Sequence, residues 1–163
     1  MKEPLIRAAR PTDEDAIQSV TQAAFDSLIE ASLITDLERD GDVALSLVAQ
    51  EPDGAVLGHI LLTRMQSPDG YWALGPISVE PQHQDQGIGS LLVTEALRRA
   101  SDRNVPGVFC LGDPEWYTRF GFSVEHAAPF NSPYTGPHFM LARLNATGTT
   151  EGDATYPAAF ASL

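Results

Sequence analysis

The run Gln84-Asp85-Gln86-Gly87-Ile88-Gly89-Ser90 stands where an apolar, strand-like stretch gives way to an amphipathic helix. The first N–H groups of a helix have no main-chain acceptors, and the aligned peptide dipoles make that end positive. Glycine, lacking a Cβ, lets another molecule come close to the main chain. Together these features make a cradle for a phosphate group. Taken alone, the glycine pair reads equally as a tight turn. Two familiar phosphate motifs do not fit. The dinucleotide fingerprint needs a third glycine, and the P-loop needs Gly-Lys-[Ser/Thr], whereas Gly89 is followed by Ser90-Leu91.

Other chemistry-bearing side chains are sparse. Cys110 is the one cysteine, which excludes an internal disulfide framework and any multi-cysteine metal site. It lies in the apolar run Val108-Phe109-Cys110-Leu111 and reads as a buried core thiol rather than a nucleophile. His59, His83, His126 and His138 show no ligand spacing, so no metal is expected. The chain carries 22 acidic residues against 10 Lys plus Arg, a formal charge of −12, with no basic stripe. That balance argues against a nucleic acid partner and favours a cationic one, although acidity also serves solubility. Apolar runs are strand-sized, and the first 15 residues lack the apolar core of a signal peptide. A cytoplasmic protein with no membrane partner is the expectation.

The elements that position the glycine turn can be read from periodicity. The 163 residues amount to one domain's worth, and 43% hydrophobic content is enough for a sheet covered on both faces. Leu5-Ile6-Arg7-Ala8 reads as a first strand. Thr12, with Asp15 three residues on, predicts a helix cap, and Ile17, Val20, Ala24 and Leu28 then recur at helical spacing. A second helical piece runs through Leu33, Ile34 and Leu37 to Gly41-Asp42. Strands are predicted over 43–50, 56–64 and 71–79, joined by the turns Pro52-Asp53-Gly54 and Pro68-Asp69-Gly70 as an antiparallel meander. Pro76 cannot donate to a ladder, so the third strand should be bulged or partly unpaired there. The helix over 86–103 buries Ile88, Leu91, Leu92, Ala96, Leu97 and Ala100 on one face. A parallel strand over 105–111 follows. Asp113 caps a short helix with Pro114 in its first turn, and Gly121 closes it. Strands over 122–126 and 139–144 end the core.

Val79-x-Pro81-x-x-Gln84-x-x-Gly87-Ile88-Gly89, followed by a leucine-rich helix, resembles the acyl-CoA signature of the GNAT superfamily of N-acyltransferases. Tyr117-Thr118-Arg119-Phe120-Gly121-Phe122 resembles the superfamily's Y-x-x-[LF]-G-F, one strand later as expected. The element order is also similar, and the resemblance spans about residues 4–144. The LGDPEWYTRFGF form, with Tyr156, Pro157 and Phe160 in the tail, is similar to a little-characterised bacterial branch. One departure is Gln84, which stands where many members have Arg and so removes a positive charge near the pyrophosphate.

The resemblance implies a single N-acetyltransferase domain over residues 1–163, with the tail 145–163 docked on it. The fold class it implies is α/β (α+β), with a mixed, mostly antiparallel sheet, helices on both faces and a splayed parallel strand pair. It implies acetyl-CoA as co-substrate, with its pyrophosphate over the N–H groups of residues 86–90 and pantetheine along Ile77, Ser78 and Val79. Gln84, Asp85, Gln86, Gly87, Ile88, Gly89 and Ser90 complete the cofactor contacts, Asp85 facing solvent. The implied acceptor is a small-molecule or peptide amine, attacked directly on the thioester carbonyl, with a main-chain N–H near Val79 polarising it. Members often form homodimers. Tyr117 occupies the position whose hydroxyl hydrogen-bonds the departing sulfur; it also reads as an aromatic plug beside Trp116 and Phe120. Glu30 is the candidate base or amine anchor, against the plainer reading of a solvated helix face. Glu80, His59 and a water chain remain open for the base. A non-catalytic acyl-CoA sensor or scaffold is the competing function.

Overall fold

The computed structural model describes residues 3–162. Strands β1 (Leu5–Ala8), β2 (Val43–Gln50), β3 (Val56–Arg64), β4 (Trp72–Val79), β5 (Gly107–Leu111), β6 (Phe122–Ser123) and β8 (Phe139–Arg143) form one sheet, ordered β1-β2-β3-β4-β5-β8-β6. Every adjacent pair is antiparallel except β4 and β5. The expected mixed, mostly antiparallel fold is therefore observed. Two further strands, β7 (Phe130–Asn131) and β9 (Gly152–Asp153), pair in parallel as a small separate sheet that periodicity did not reveal.

Alternation along the strands builds two cores. Leu47 and Ala49 of β2, Ile60 and Leu62 of β3, and Val108 and Cys110 of β5 face one side. There they meet Ile88, Leu92, Val93 and Ala96 of α3 (Ile88–Asp102). Val48, Leu61 and Phe109 face the other side. Ile17 of α1 (Glu14–Phe25) and Leu33, Ile34 and Leu37 of α2 (Ile29–Arg39) cover them. The tail completes this second core with Ala154, Tyr156 and Phe160, all buried. Tyr71 ties the tail down by donating to the Thr149 carbonyl at 2.6 Å.

Three local expectations are corrected. Thr12 does not cap α1; the chain enters it through a 3-10 turn at Pro11–Asp13. The neighbouring Asp13 carboxylate takes the Arg10 N–H at 2.7 Å and a two-pronged bond from Arg7 at 2.7 and 2.9 Å. A bidentate, charge-assisted pair outweighs a neutral hydroxyl cap. The strand over 122–126 stops at Ser123, whose hydroxyl accepts the His126 N–H at 3.2 Å and opens helix α5 (Val124–Ala127). Helix α3 begins at Ile88 rather than 86, because Gly87 sits at φ +85°, outside the helical region.

The strand holding Pro76 is irregular, as expected. Ile60 faces Ile77 and Leu62 faces Leu74, so one extra residue of β4 bulges out around Gly75-Pro76. On its other side β4 pairs with β5 only from Trp72↔Val108 to Leu74↔Cys110. Beyond that point the pairing ends, β5 itself stopping at Leu111, and the edge of β4 over 75–79 has no strand partner among the described residues.

Candidate active site

The parting of β4 from β5 makes a V with a cavity at its mouth and another near its vertex. The mouth is a groove of about 510 Å³ lined by Val79, Gln84, Asp85, Gly87–Ser90, Trp116 and Arg119. The first main-chain bond of α3 runs from the Leu91 N–H to the Gly87 carbonyl at 3.1 Å. The N–H groups of residues 86–90 therefore donate to no protein acceptor among the described residues, as helix geometry requires. The turn is shaped by two positive-φ residues, Asp85 at +63° and Gly87 at +85°. A Cβ on Gly87 would meet nothing within 4 Å, so the space beside it is open. Gly89 serves differently: a Cβ there would approach the Trp116 ring at 3.2 Å. Gln84 folds back, its amide donating to the Val79 carbonyl at 3.1 Å, and pins the turn to the end of β4.

Sequence reading missed Arg119, which brings a cation to this groove. Its guanidinium donates to Ser90 Oγ at 3.2 Å and lies over the rings of Trp116 and Phe120, 5.4 and 5.1 Å from their centroids. It stands 29 residues from Ser90 in the chain, so only the fold unites them.

Near the vertex lies a cavity of about 370 Å³. Its walls include Gly75, Pro76 and Ile77 of β4, Leu111 at the end of β5, and Tyr117 of α4 (Pro114–Tyr117). Glu30, in the first turn of α2, also lines it. The two candidate catalytic residues, Tyr117 and Glu30, thus share one cavity. Trp116 and Tyr117 are chain neighbours facing the mouth and the vertex respectively. From Gly75 to Val79 the free edge spans about 13 Å at ~3.3 Å per residue.

Tyr117 is 8% exposed and packs edge-on against Trp116 and Phe122. Burial raises its pKa above that of an ordinary tyrosine, so the hydroxyl stays protonated and can donate. Gly112 makes room for it: a Cβ there would lie 2.3 Å from Tyr117 Cε2. Glu30 Oε1 is buried with no hydrogen-bond partner among the described residues, and so is the hydroxyl of Tyr156, a second wall residue of the cavity.

Other candidates fall outside these cavities. The Ser78 side chain is buried against α1, its hydroxyl 3.4 Å from that of Thr21, and only its main chain reaches the free edge. Gln86 lines an adjoining pocket with His83 and Leu91. His59 is buried and bonded to Ser46 at 2.8 Å; burial pushes its pKa down to about 4, and it lines neither cavity. Glu80 lines neither cavity. Cys110 is buried, with its pKa raised by burial, and is inert as a nucleophile. No group of three potential metal ligands exists among the described residues, nor any helix long and apolar enough to cross a membrane.

Residues 12–122 match the acetyltransferase (GNAT) family. The chain belongs to that family. It is 34% identical over 145 residues to the uncharacterized N-acetyltransferase YhbS of Escherichia coli K12, covering 86% of this chain and 87% of YhbS. The crystal structure of E. coli YhbS in complex with CoA superposes with a TM-score of 0.90 at 29% identity, covering 99% of this chain and 93% of that one. A GNAT acetyltransferase from Brucella melitensis in complex with acetyl-CoA gives 0.82 at 34% identity, covering 96% and 97%.

Proposed function

We propose that the protein transfers an acetyl group from acetyl-CoA to a primary amine by direct attack. The observation that carries this reading is the early end of β4–β5 pairing, at Leu74↔Cys110, between a groove of free N–H groups and a cavity holding Tyr117 and Glu30. The diphosphate lies over the N–H groups of residues 86–90, with Arg119 as counter-charge. Each hydrogen bond to a charged phosphate contributes roughly 1.5–3 kcal/mol when well made. Screening beyond ~8 Å weakens repulsion from distant acids, so a few such bonds outweigh it. Pantetheine extends along the free edge of β4 as an added strand does, which carries the thioester toward Ile77 and Tyr117. The binding of CoA and acetyl-CoA by the two relatives supports this placement.

The chemistry follows from the walls of the vertex cavity. An ammonium entering past Glu30 must lose one proton to solvent before it can attack. Its nitrogen lone pair then bonds the thioester carbonyl carbon, whose oxygen draws on a main-chain N–H of the free β4 edge. The C–S bond breaks and sulfur keeps the pair. The Tyr117 hydroxyl hydrogen-bonds the departing thiolate, and the second amine proton ends on the thiol. With ordinary pKa values of ~10 for tyrosine and ~8.5 for a thiol, and with burial raising Tyr117 further, full proton donation is uphill. A hydrogen bond is the role that fits.

The test is free thiol release from acetyl-CoA across an amine panel, with CoA affinity measured by calorimetry. Turnover that falls in Tyr117→Phe at unchanged CoA affinity is expected. Tight CoA binding, no turnover with any amine, and an indifferent Tyr117→Phe would make the chain a CoA sensor instead.

A further inference from the structure

We propose that the acceptor is a primary amine carrying one positive charge on an apolar body, and that Glu30 and Tyr156 receive its amino group. The proposal rests on the acetyltransferase reading and deepens it. The side chains of Glu30 and Tyr156 line the same cavity as Tyr117, and each carries a buried oxygen, Glu30 Oε1 and the Tyr156 hydroxyl, with no hydrogen-bond partner among the described residues. A buried polar atom without a partner is costly, and an amino group bonded to both relieves that cost. An ammonium offers three donors. It satisfies a carboxylate and a tyrosine oxygen at once.

The rest of the cavity specifies the body of that amine. Phe25, Leu33, Leu111 and Phe160 are apolar walls, and Glu30 is the one carboxylate among the lining residues. Phe25 and Leu111 are each 40% exposed, and Leu28 and Ile29, beside Glu30 in the chain, are exposed at 65% and 58%. At about 370 Å³ the space is at the lower end of small-molecule sites. A polyamine or an aminoglycoside would bring further charges with no second carboxylate in this cavity to meet them, and a buried unpaired charge is strongly unfavourable. Asp153, one oxygen of which accepts from Asn131 at 3.3 Å, lines a neighbouring cavity of about 920 Å³ rather than this one. The aromatic cluster of Tyr134, Tyr156 and Phe160 walls both cavities, with rings 5.1 and 5.0 Å apart.

This assigns the tail a task. Tyr156 reaches the cavity from the tail, whose Ala154 and Phe160 also cover the second core. Its unpartnered hydroxyl weakens the free protein, as a functional group held ready for a ligand does.

The experiment compares single-charge amines such as phenethylamine and hexylamine with putrescine, spermidine, lysine and tobramycin. The measured quantity is kcat/KM at saturating acetyl-CoA. We expect the apolar monoamines to lead by about tenfold or more. In Glu30→Gln the amine KM rises about tenfold while CoA affinity holds. In Tyr156→Phe the amine KM rises about threefold or more, yet the melting temperature holds or increases, because a buried hydroxyl without a partner has been removed. A purely structural Tyr156 would leave KM unmoved. Preference for the multiply charged amines, no acetylation of any amine by a chain that binds CoA, or an unchanged amine KM in both variants would overturn the proposal. Failure of the wild-type chain to bind CoA at all would overturn the acetyltransferase reading itself.

Discussion

Gly112→Ala tests the proposed place of Tyr117 without touching Tyr117. The Cβ it introduces would lie 2.3 Å from Cε2, 2.9 Å from Cδ2 and 3.4 Å from Cζ of that ring. Carbon atoms rest at about 3.5–4.0 Å, so the ring must withdraw by more than about 1 Å. Its neighbours limit the escape. Trp116 meets it edge-on at 4.8 Å and Phe122 at 5.5 Å. Gly112 cannot easily yield either, since its N–H donates to the His138 carbonyl at 3.1 Å. The hydroxyl must therefore swing away from the thioester. Misplacing a reacting group by about 1 Å can cost 10²-fold in rate, and overpacking costs about 1–3 kcal/mol of stability. The assay is kcat for thiol release with the best amine, beside calorimetric CoA affinity and a thermal melt. We expect kcat to fall about 10²-fold and CoA affinity to hold, because Gly112 does not line the phosphate groove. In Tyr117→Phe the hydroxyl is already gone, so adding Gly112→Ala should cost little more. Wild-type kcat in the alanine variant, or two losses that simply multiply, would refute the reasoning.

Gly87→Glu forces a side chain into φ +85° and a negative charge into the open side of the groove, so CoA affinity should drop at least about tenfold by calorimetry. Arg119→Ala should weaken CoA binding by about tenfold and flatten its salt dependence, while Phe120 and Trp116 keep their packing on each other. Stability should fall on acidification in two stages, read from urea midpoints. Folded His59 titrates near 4 against an ordinary 6.5, so as pH drops from 6.5 toward 4 the unfolded chain takes the proton first and stability declines by up to ~1.4 kcal/mol per pH unit. Asp13, held near 2 chiefly by Arg7 against an ordinary 3.8, adds its own loss as pH falls from 3.8 toward 2.

The meander was legible because the turns Pro52-Asp53-Gly54 and Pro68-Asp69-Gly70 separate apolar runs of strand length. Val48 points one way and Leu47 and Ala49 the other, and such a period admits few readings. The bulge at Pro76 was legible for a different reason, the missing donor. What failed was local competition between neighbours. Thr12 reads as a cap, but the next residue, Asp13, is held by Arg7, six residues away, and by the Arg10 N–H, and the chain enters α1 through a 3-10 turn with no side-chain cap. Ser123 could continue a strand or cap a turn, and the hydroxyl bond to His126 decides that. Both outcomes depend on a partner whose approach no single-residue propensity encodes.

The candidate site divides along the same line. Gly87 announces itself through the positive φ that a turn before a helix demands. Gly112 does not, since its task is to leave space for a ring five residues on, which only coordinates reveal. Arg119 was written into the Tyr-x-x-Phe-Gly-Phe stretch, yet nothing in that spacing says that it reaches Ser90. Its position changes the electrostatic argument. The chain has an uncharged Gln84 in the turn, and one N–H of its amide donates to the Val79 carbonyl. If this groove holds a diphosphate, as proposed, a chain of net charge −12 would then depend there on main-chain N–H groups alone. Arg119 lies on the groove's other wall, stacked on Trp116 and bonded to Ser90. It supplies the missing cation from a different element. Removing Arg119 should therefore weaken CoA binding more than replacing Gln84 by Ala does, and equal losses in the two variants, read by calorimetry, would refute that.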